Sequence, residues 1–234
     1  AGGLSSAITQ ARDFSGALGE LKTLLGDSAA EVQAFESATL RMASTFGGTA
    51  TAQAQSFYQA VSAGASSSAE AIELLEVANR TAIGGVTTVT NSVDVLSTAM
   101  NVYGKDVLSA SEASDSLFTA MKAGKTTITE LGAALGRVLP IAQSAGVSFD
   151  EVNAAIAALT AGGLSTAESV TGLRAAINSI IKPSEDAKKL AEELGIEFSA
   201  AGLQAQGFGK FMEAVVAATG GSTEQMVRLF TTAE

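Results

Sequence analysis

The chain has 234 residues, 47% hydrophobic but only 16% charged and 5% aromatic, enough apolar material for one large core or two small ones. Its 14 Lys and Arg against 24 Asp and Glu leave a net charge of −10, which argues against docking on phosphate backbones, where clustered cations are needed. Cysteine and histidine are both absent, which excludes disulfides, thiolate nucleophiles, histidine bases and the usual zinc or haem ligands.

Residues 1–27 are glycine-rich with weak periodicity through Phe14, Leu18, Leu21 and Leu25, fitting either the end of a preceding helix or a partly ordered lead-in. Val32, Phe35, Thr39, Met42 and Phe46 then share one helical face until Gly47-Gly48 breaks it. A helix over 49–63 carries Phe57, Tyr58 and Val61 and stops at Gly64. Ser66 to Ser68 offer N-caps for the next, through Ile72, Leu75 and Ala82, before Gly84-Gly85. The β-branched run Val86 to Thr90 fits a short extended piece or a loop, and a loop is preferred. Val93, Leu96, Met100 and Tyr103 mark a helix ending at Gly104, and Leu117, Phe118 and Met121 one ending at Gly124.

The next stretch, Leu131 to Pro183, is the most ordered in pattern. Leu131, Leu135, Val138, Leu139 and Ala142 recur at helical spacing up to Gly146, although Pro140 inside them must kink or split the helix. Ser148 with Glu151 three residues on forms a capping box, followed by the stripe Val152, Ile156, Leu159 and the stop Gly162-Gly163. Val170, Leu173, Ile177 and Ile181 carry a third helix that ends before Pro183, because the residue before proline resists helical geometry. Ser184 caps a charged helix ending at Gly195, with Glu192 and Glu193 facing solvent. Ile196-Glu197-Phe198 alternates as a strand or extended arm does, with a turn at Ala201-Gly202. Phe208, Phe211, Met212, Val215 and Val216 form another helix, and after Gly220-Gly221 Thr223 caps the last, with Met226, Val227 and Phe230.

These patterns predict an all-α fold of short antiparallel helices joined by glycine turns, with at most one short β-arm near 196–203. The expected organisation is a lead-in at 1–27, a first helical unit at 28–124, a second at 125–183 and C-terminal helices at 184–234. The chain stops inside a helical pattern and reads as a fragment of something longer. An internal duplication relates 63–101 to 145–178. Gly64 pairs with Gly146, Gly84-Gly85 with Gly162-Gly163, and Asn91 to Asn101 with Glu168 to Asn178, where five of eleven positions are identical.

Candidate chemistry is weighed and set aside. Gly124-Lys125-Thr126 resembles the end of a phosphate loop, but position 119 is Thr119 where glycine is needed and no strand precedes it. Gly207-Phe208-Gly209 begins a dinucleotide-like pattern that Met212 breaks. Asp150-Glu151 and Glu192-Glu193 are adjacent pairs whose side chains diverge by about 100° on a helix. No catalytic, cofactor-binding or metal-ligating residue is assigned, and the chain is read as not an enzyme. No run of about 20 apolar residues, as a membrane span needs, is present. The small-residue face Ala154, Ala155, Ala157, Ala158 and Ala161 is read as tight helix packing rather than a membrane-active surface.

Taken in order, Pro140 with Ala142, the turn Ala145-Gly146-Val147-Ser148, Glu151, Leu159, Gly162-Gly163, Thr171-Gly172-Leu173-Arg174, Pro183, Leu194-Gly195-Ile196 and Ala201-Gly202 form a familiar series. With the Phe35 to Phe46 helix and the Gly64 turn upstream, it resembles the core region of phage tail tape measure proteins over most of Val32 to Phe230. The resemblance implies a structural virion protein that occupies the lumen or tip of the tail, sets tail length during assembly in the host cytoplasm, and leaves ahead of the DNA at ejection. It also implies partners: tail tube and tip or baseplate proteins, tail assembly chaperones, further copies of itself as a trimer or hexamer, and the host envelope at ejection. No cofactor and no specific nucleic-acid binding are implied. The competing reading is a membrane-active, pore-forming translocator, which would draw on the same Ala/Gly/Ser-rich amphipathic helices. Because glycine interrupts the chain every ~15–20 residues, leaving helices of ordinary globular length, this segment is expected to be a compact domain, with the ruler outside it.

Overall fold

The computed structural model describes residues 2–25 and 29–231; of the expected lead-in, residues 1, 26 and 27 lie outside them. The described residues are all-α, fourteen helices with no β-strand. They divide into two compact units, Ala1–Asn101 with Lys105–Ser114, and Val102–Gly104 with Asp115–Glu234.

Unit 1 holds α1 (Gly2–Leu25), α2 (Ala29–Phe46), α3 (Ala50–Ser62), α4 (Ser68–Gly84), most of α5 (Val89–Tyr103) and the first turn of α6 (Ala110–Ala123). The stretch 2–25 is thus one helix, which packs on α3 and α2 and buries Ala17 and Leu21. On α2 the expected face points inward at Phe35, Thr39 and Met42. Phe35 meets Phe57 of α3 edge to face at 4.7 Å, the aromatic centre of this unit. Between α3 and α4, Gln53 and Asn79 exchange two amide hydrogen bonds of 2.7 and 3.0 Å, so two buried polar side chains satisfy each other. Helix α5 begins at Val89, so the loop expected at 86–90 shrinks to 85–88. There Gly85 is the C-cap of α4 and Val86 takes the left-handed conformation at φ +51°, which lets the Thr87 N–H reach the Ala82 carbonyl at 3.0 Å.

Unit 2 contains the rest of α6, then α7 (Ile128–Leu135), α8 (Leu139–Ser144), α9 (Phe149–Ala161), α10 (Thr166–Ile181), α11 (Glu185–Leu194), α12 (Ala200–Gln206), α13 (Phe208–Ala218) and α14 (Thr223–Phe230). Pro140 splits the helical pattern rather than kinking it: α7 ends at Gly136, and Pro140 sits in the first turn of α8, where its missing N–H has no partner to lose. Helix α10 is the hub. It packs against α7, α8, α9, α12 and α14 through a stripe containing Val170, Leu173, Ile177 and Ile180, with the chain turning away at Lys182 before Pro183.

Three details of the C-terminal part differ from expectation. Ala201 and Gly202 lie inside α12 rather than in a turn: Ser199 caps the Gly202 N–H at 3.1 Å, and the glycine lies so close to the Glu197 carbonyl that a Cβ would collide with it. Ile196-Glu197-Phe198 forms no strand. It is a short connection that drives Phe198 into a cluster with Phe211 and Phe230. The last helix is capped by Ser222 instead of Thr223.

Within the segments paired as an internal duplication, the offset falls from 82 residues at Gly64 and Gly146 to 77 at Ser92 and Ser169. An offset of 77 residues takes Gly85 to Gly162, Val86 to Gly163, Thr88 to Ser165 and Ser92 to Ser169. The left-handed residue after α4 is therefore Val86, one position beyond the Gly84-Gly85 pair that the sequence matched to Gly162-Gly163. Helix α4 has 17 residues and α9 has 13.

Candidate functional site

The residues that carry the family resemblance most densely, Ala145 to Glu151, form a clasped joint in unit 2. Helix α8 ends in a Schellman turn: Gly146 at φ +76° lets the Val147 N–H reach back to the Ala142 carbonyl at 2.9 Å. Ser148 then opens α9 with the expected capping box. Its hydroxyl accepts from the Glu151 N–H, while its own N–H and hydroxyl donate to Glu151 Oε2 at 2.9 and 3.0 Å. The second carboxylate oxygen reaches another element, accepting the Phe208 N–H at 2.6 Å at the start of α13. There the carboxylate also meets the positive end of that helix. Gly207 at φ +77° makes the approach possible, since a Cβ there would stand 2.7 Å from Oε1.

Two further side chains hold the turn. The Tyr103 hydroxyl donates to the Val147 carbonyl at 2.9 Å, and its ring meets Phe149 at 6.0 Å. Burial, with the negative charge of Glu151 adding to it, pushes the Tyr103 phenol well above its ordinary range, so it remains a hydrogen-bond donor at any physiological pH. Gln204 of α12 packs onto Gly146 so closely that a Cβ would lie 2.5 Å from its Cγ. Glu151 was legible in the sequence as a cap only. Nothing in the local pattern pointed to Tyr103, Gln204 or Phe208 as its surroundings, because they lie 48, 53 and 57 residues away.

The corresponding turn of unit 1 is clasped differently. Asn101 donates to the Ala63 carbonyl at 2.7 Å, and the Lys105 ammonium donates to the Gly64 carbonyl and pairs with Glu70 at 2.5 Å. Burial would raise the Glu70 carboxyl, but Lys105 and the hydroxyl and N–H of Ser66 outweigh it and hold the group below its usual range. Ser66, Glu70, Lys105 and Asp106 line a hollow beside this turn, and no group of three or more acidic side chains that could hold a metal occurs among the described residues.

The discarded motifs have structural jobs. Gly124 is pressed against α9 so that a Cβ would collide with Thr160, and the Lys125 N–H donates to the Thr160 hydroxyl at 3.1 Å. The neighbouring Thr126 shares a buried hydroxyl–hydroxyl bond of 2.7 Å with Thr166. The sequence Gly-Lys-Thr is thus a packing joint with its backbone already engaged. Gly207-Phe208-Gly209 is the α12–α13 corner held by Glu151. Asp150 and Glu151 diverge as expected, only Glu151 being tied to the joint, and Glu192 and Glu193 are exposed. What this geometry provides is mechanical: fixed angles between short helices, secured by charge-assisted bonds at their ends.

Residues 36–233 match the family described as phage-related minor tail protein. The chain is similar to the "Probable tape measure protein" of Clostridium phage phiCD119, 26% identical over 155 residues that cover 65% of this chain and 16% of that protein. It is also 26% identical over 107 residues to the "Tape measure protein" of Pneumococcus phage Dp-1, covering 46% of this chain and 9% of that protein. The chain therefore spans a small part of the length of these relatives. No solved structure matches it significantly.

Proposed function

Because the chain belongs to the phage-related minor tail protein family, we propose that it is the compact helical domain of a tape measure protein, a structural part of the virion tail that works without a catalytic centre or cofactor. The observation that carries this reading is the family match across 36–233, joined by two relatives named for the tape measure.

The helix lengths support assigning the ruler to another part of the full-length protein. Among the described residues the longest helix, α1, has 24 residues and spans about 36 Å at ~1.5 Å per residue. The others run from 6 to 18 residues and end in caps or glycine turns. A length gauge needs a continuous element whose extent scales with residue number. This segment turns the chain back repeatedly, which suits an anchoring domain seated in the tail lumen or at its tip. In that position it would contact tube and tip proteins, assembly chaperones and further copies of itself, and it would leave ahead of the DNA at ejection.

The test is a set of phages carrying in-frame duplications or deletions of helical sequence in the full-length gene, with this domain intact. Tail lengths measured by electron microscopy should change in proportion to the residues added or removed. Unaltered tails would sink the reading and bring forward the membrane-translocator alternative. Among the described residues, no helix is long and apolar enough to cross a membrane.

A further inference from the structure

Three glycine turns of the chain are built alike. At Gly64, Gly146 and Gly163, with φ of +102°, +76° and +107°, a helix ends in a Schellman turn, and within three residues a serine caps the next helix, which carries a glutamate in its first turn. Glu70, Glu151 and Glu168 each turn one carboxylate oxygen, Oε2, to a serine beside the turn. In the first two turns, distant donors take the acceptors that remain. Asn101 and Lys105 hold the Ala63 and Gly64 carbonyls, and Lys105 also holds Glu70 Oε1. Tyr103 holds the Val147 carbonyl, and the Phe208 N–H holds Glu151 Oε1. The third turn has no such clasp. Among the described residues nothing donates to the Gly162 or Gly163 carbonyl or to Glu168 Oε1, and residues 161–165 are exposed.

A matching donor pair stands unengaged. The 77-residue offset that takes Ser92 to Ser169 takes Asn101 and Lys105 to Asn178 and Lys182. Four residues apart at the end of α10, these two share one side of the helix. Lys182 is exposed, Asn178 is half-buried, and neither side chain bonds another group among the described residues. Donors and turn lie at opposite ends of α10, whose 16 residues span about 24 Å at ~1.5 Å each, so they cannot meet within one chain. We infer that the chain associates head to tail: Asn178 and Lys182 of one copy clasp the Gly162–Gly163 turn and Glu168 of the next, as Asn101 and Lys105 clasp the Gly64 turn and Glu70. Opposite charges meet at this joint, although the chain as a whole carries −10. Because the two halves of the contact are different surfaces, it repeats from copy to copy, closing into a ring or running on as an open chain.

The inference deepens the self-association proposed above by naming its contact. Its test uses the isolated chain, so it can fail while tail length still follows the ruler, and the ruler can fail while the contact stands. The test is sedimentation of the 234-residue chain over a range of concentrations, with thermal melting to check that each variant folds. The unaltered chain should pass beyond a dimer as its concentration rises. Lys182→Glu and Glu168→Lys should each weaken association by about tenfold, equivalent to about 1.4 kcal/mol. Both substitutions in one chain should restore it, since the opposed charges are then exchanged. Glu130→Lys is the control: Glu130 caps α7 with Thr127 in the same way but follows no left-handed glycine. It should lower the melting temperature as Glu168→Lys does and leave association unchanged. An unaltered chain that stays monomeric or stops at a dimer, a Lys182→Glu chain that associates as tightly as the original, a double variant that does not recover, or a Glu130→Lys chain that is weakened as much as Glu168→Lys would each overturn the inference.

Discussion

The helix pairs α4–α5 and α9–α10 are assembled to one plan from different parts. Each is entered through a Schellman turn on a positive-φ glycine, Gly64 or Gly146, and each opens with a capped helix carrying a glutamate in its first turn, Glu70 or Glu151. Each then makes a left-handed turn and a second capped helix, with Val93 and Leu96 buried where Val170 and Leu173 are buried. In α9–α10 the parts are the ones that a sequence reader would choose: two capping boxes, Ser148 with Glu151 and Ser165 with Glu168, and glycine at the left-handed position. In α4–α5 the carboxylate bonds Ser66, one residue before the cap, valine stands at the left-handed position, and Thr88 caps an asparagine, Asn91. The two pairs therefore use different residues for their caps and left-handed turns, and distant residues clasp both, Lys105 at Glu70 and the Phe208 N–H at Glu151.

The comparison breaks most sharply at the two glutamates. Glu151→Ala removes a capping bond and the charge-assisted bond to Phe208, and should cost about 2–4 kcal/mol, seen as a melting shift of roughly 5–10 °C. Glu70→Ala loses a cap and a partly exposed ion pair and should cost only about 1 kcal/mol. Equal losses would mean that the Phe208 contact adds nothing. The left-handed positions come next and should move in opposite directions. Gly163→Ala, at φ +107°, should destabilise by about 1–2 kcal/mol, whereas Val86→Gly should stabilise by about 0.5–1 kcal/mol once the freedom of glycine in the unfolded chain is subtracted.

The matched serines sharpen the contrast further. Ser92 donates to the Thr88 carbonyl at 3.1 Å, while the Ser169 hydroxyl is buried without a partner. Ser169→Ala should be neutral or stabilising by up to about 1 kcal/mol, and Ser92→Ala should cost about 0.5–1 kcal/mol, both read by chemical denaturation. The smallest effect is acid-dependent. The hydroxyl and N–H of Ser165 hold the Glu168 carboxyl below its ordinary value of 4.5. The cap it makes is therefore fully present above that value and is lost as pH falls through the lowered one. The Ser165 amide signal in NMR should titrate in that window and stop doing so in Glu168→Gln, while the Asn91 amide of α5, whose cap is a threonine hydroxyl, should show no such step.

The sequence was legible where the causes were local. Ser148, Ser184, Gly195 and the boundary before Pro183 could be placed because a cap, a left-handed stop or a pre-proline restriction acts within a few residues. Pro140 announced a break but not its form, since a kink and a split differ in how the neighbouring helices pack. The turn expected at Ala201-Gly202 failed because a glycine chosen for close approach to Glu197 looks the same in sequence as one chosen for a bend. The joint around Glu151 was half legible: its capping role is written three residues away, its grip on Phe208 only in the fold. Val86 could not be found at all, as nothing in a Val/Thr-rich run marks which residue takes a positive φ.

One turn of helix separates the two pairs in length, α4 having 17 residues and α9 having 13. Four residues advance the helix by about 6 Å but rotate it by only about 40° beyond a full turn. Angular phase, more than length, decides which face a following segment presents, so the four extra residues of α4 by themselves shift its exit by only about 40°. A change of two residues would have turned the exit to the opposite side.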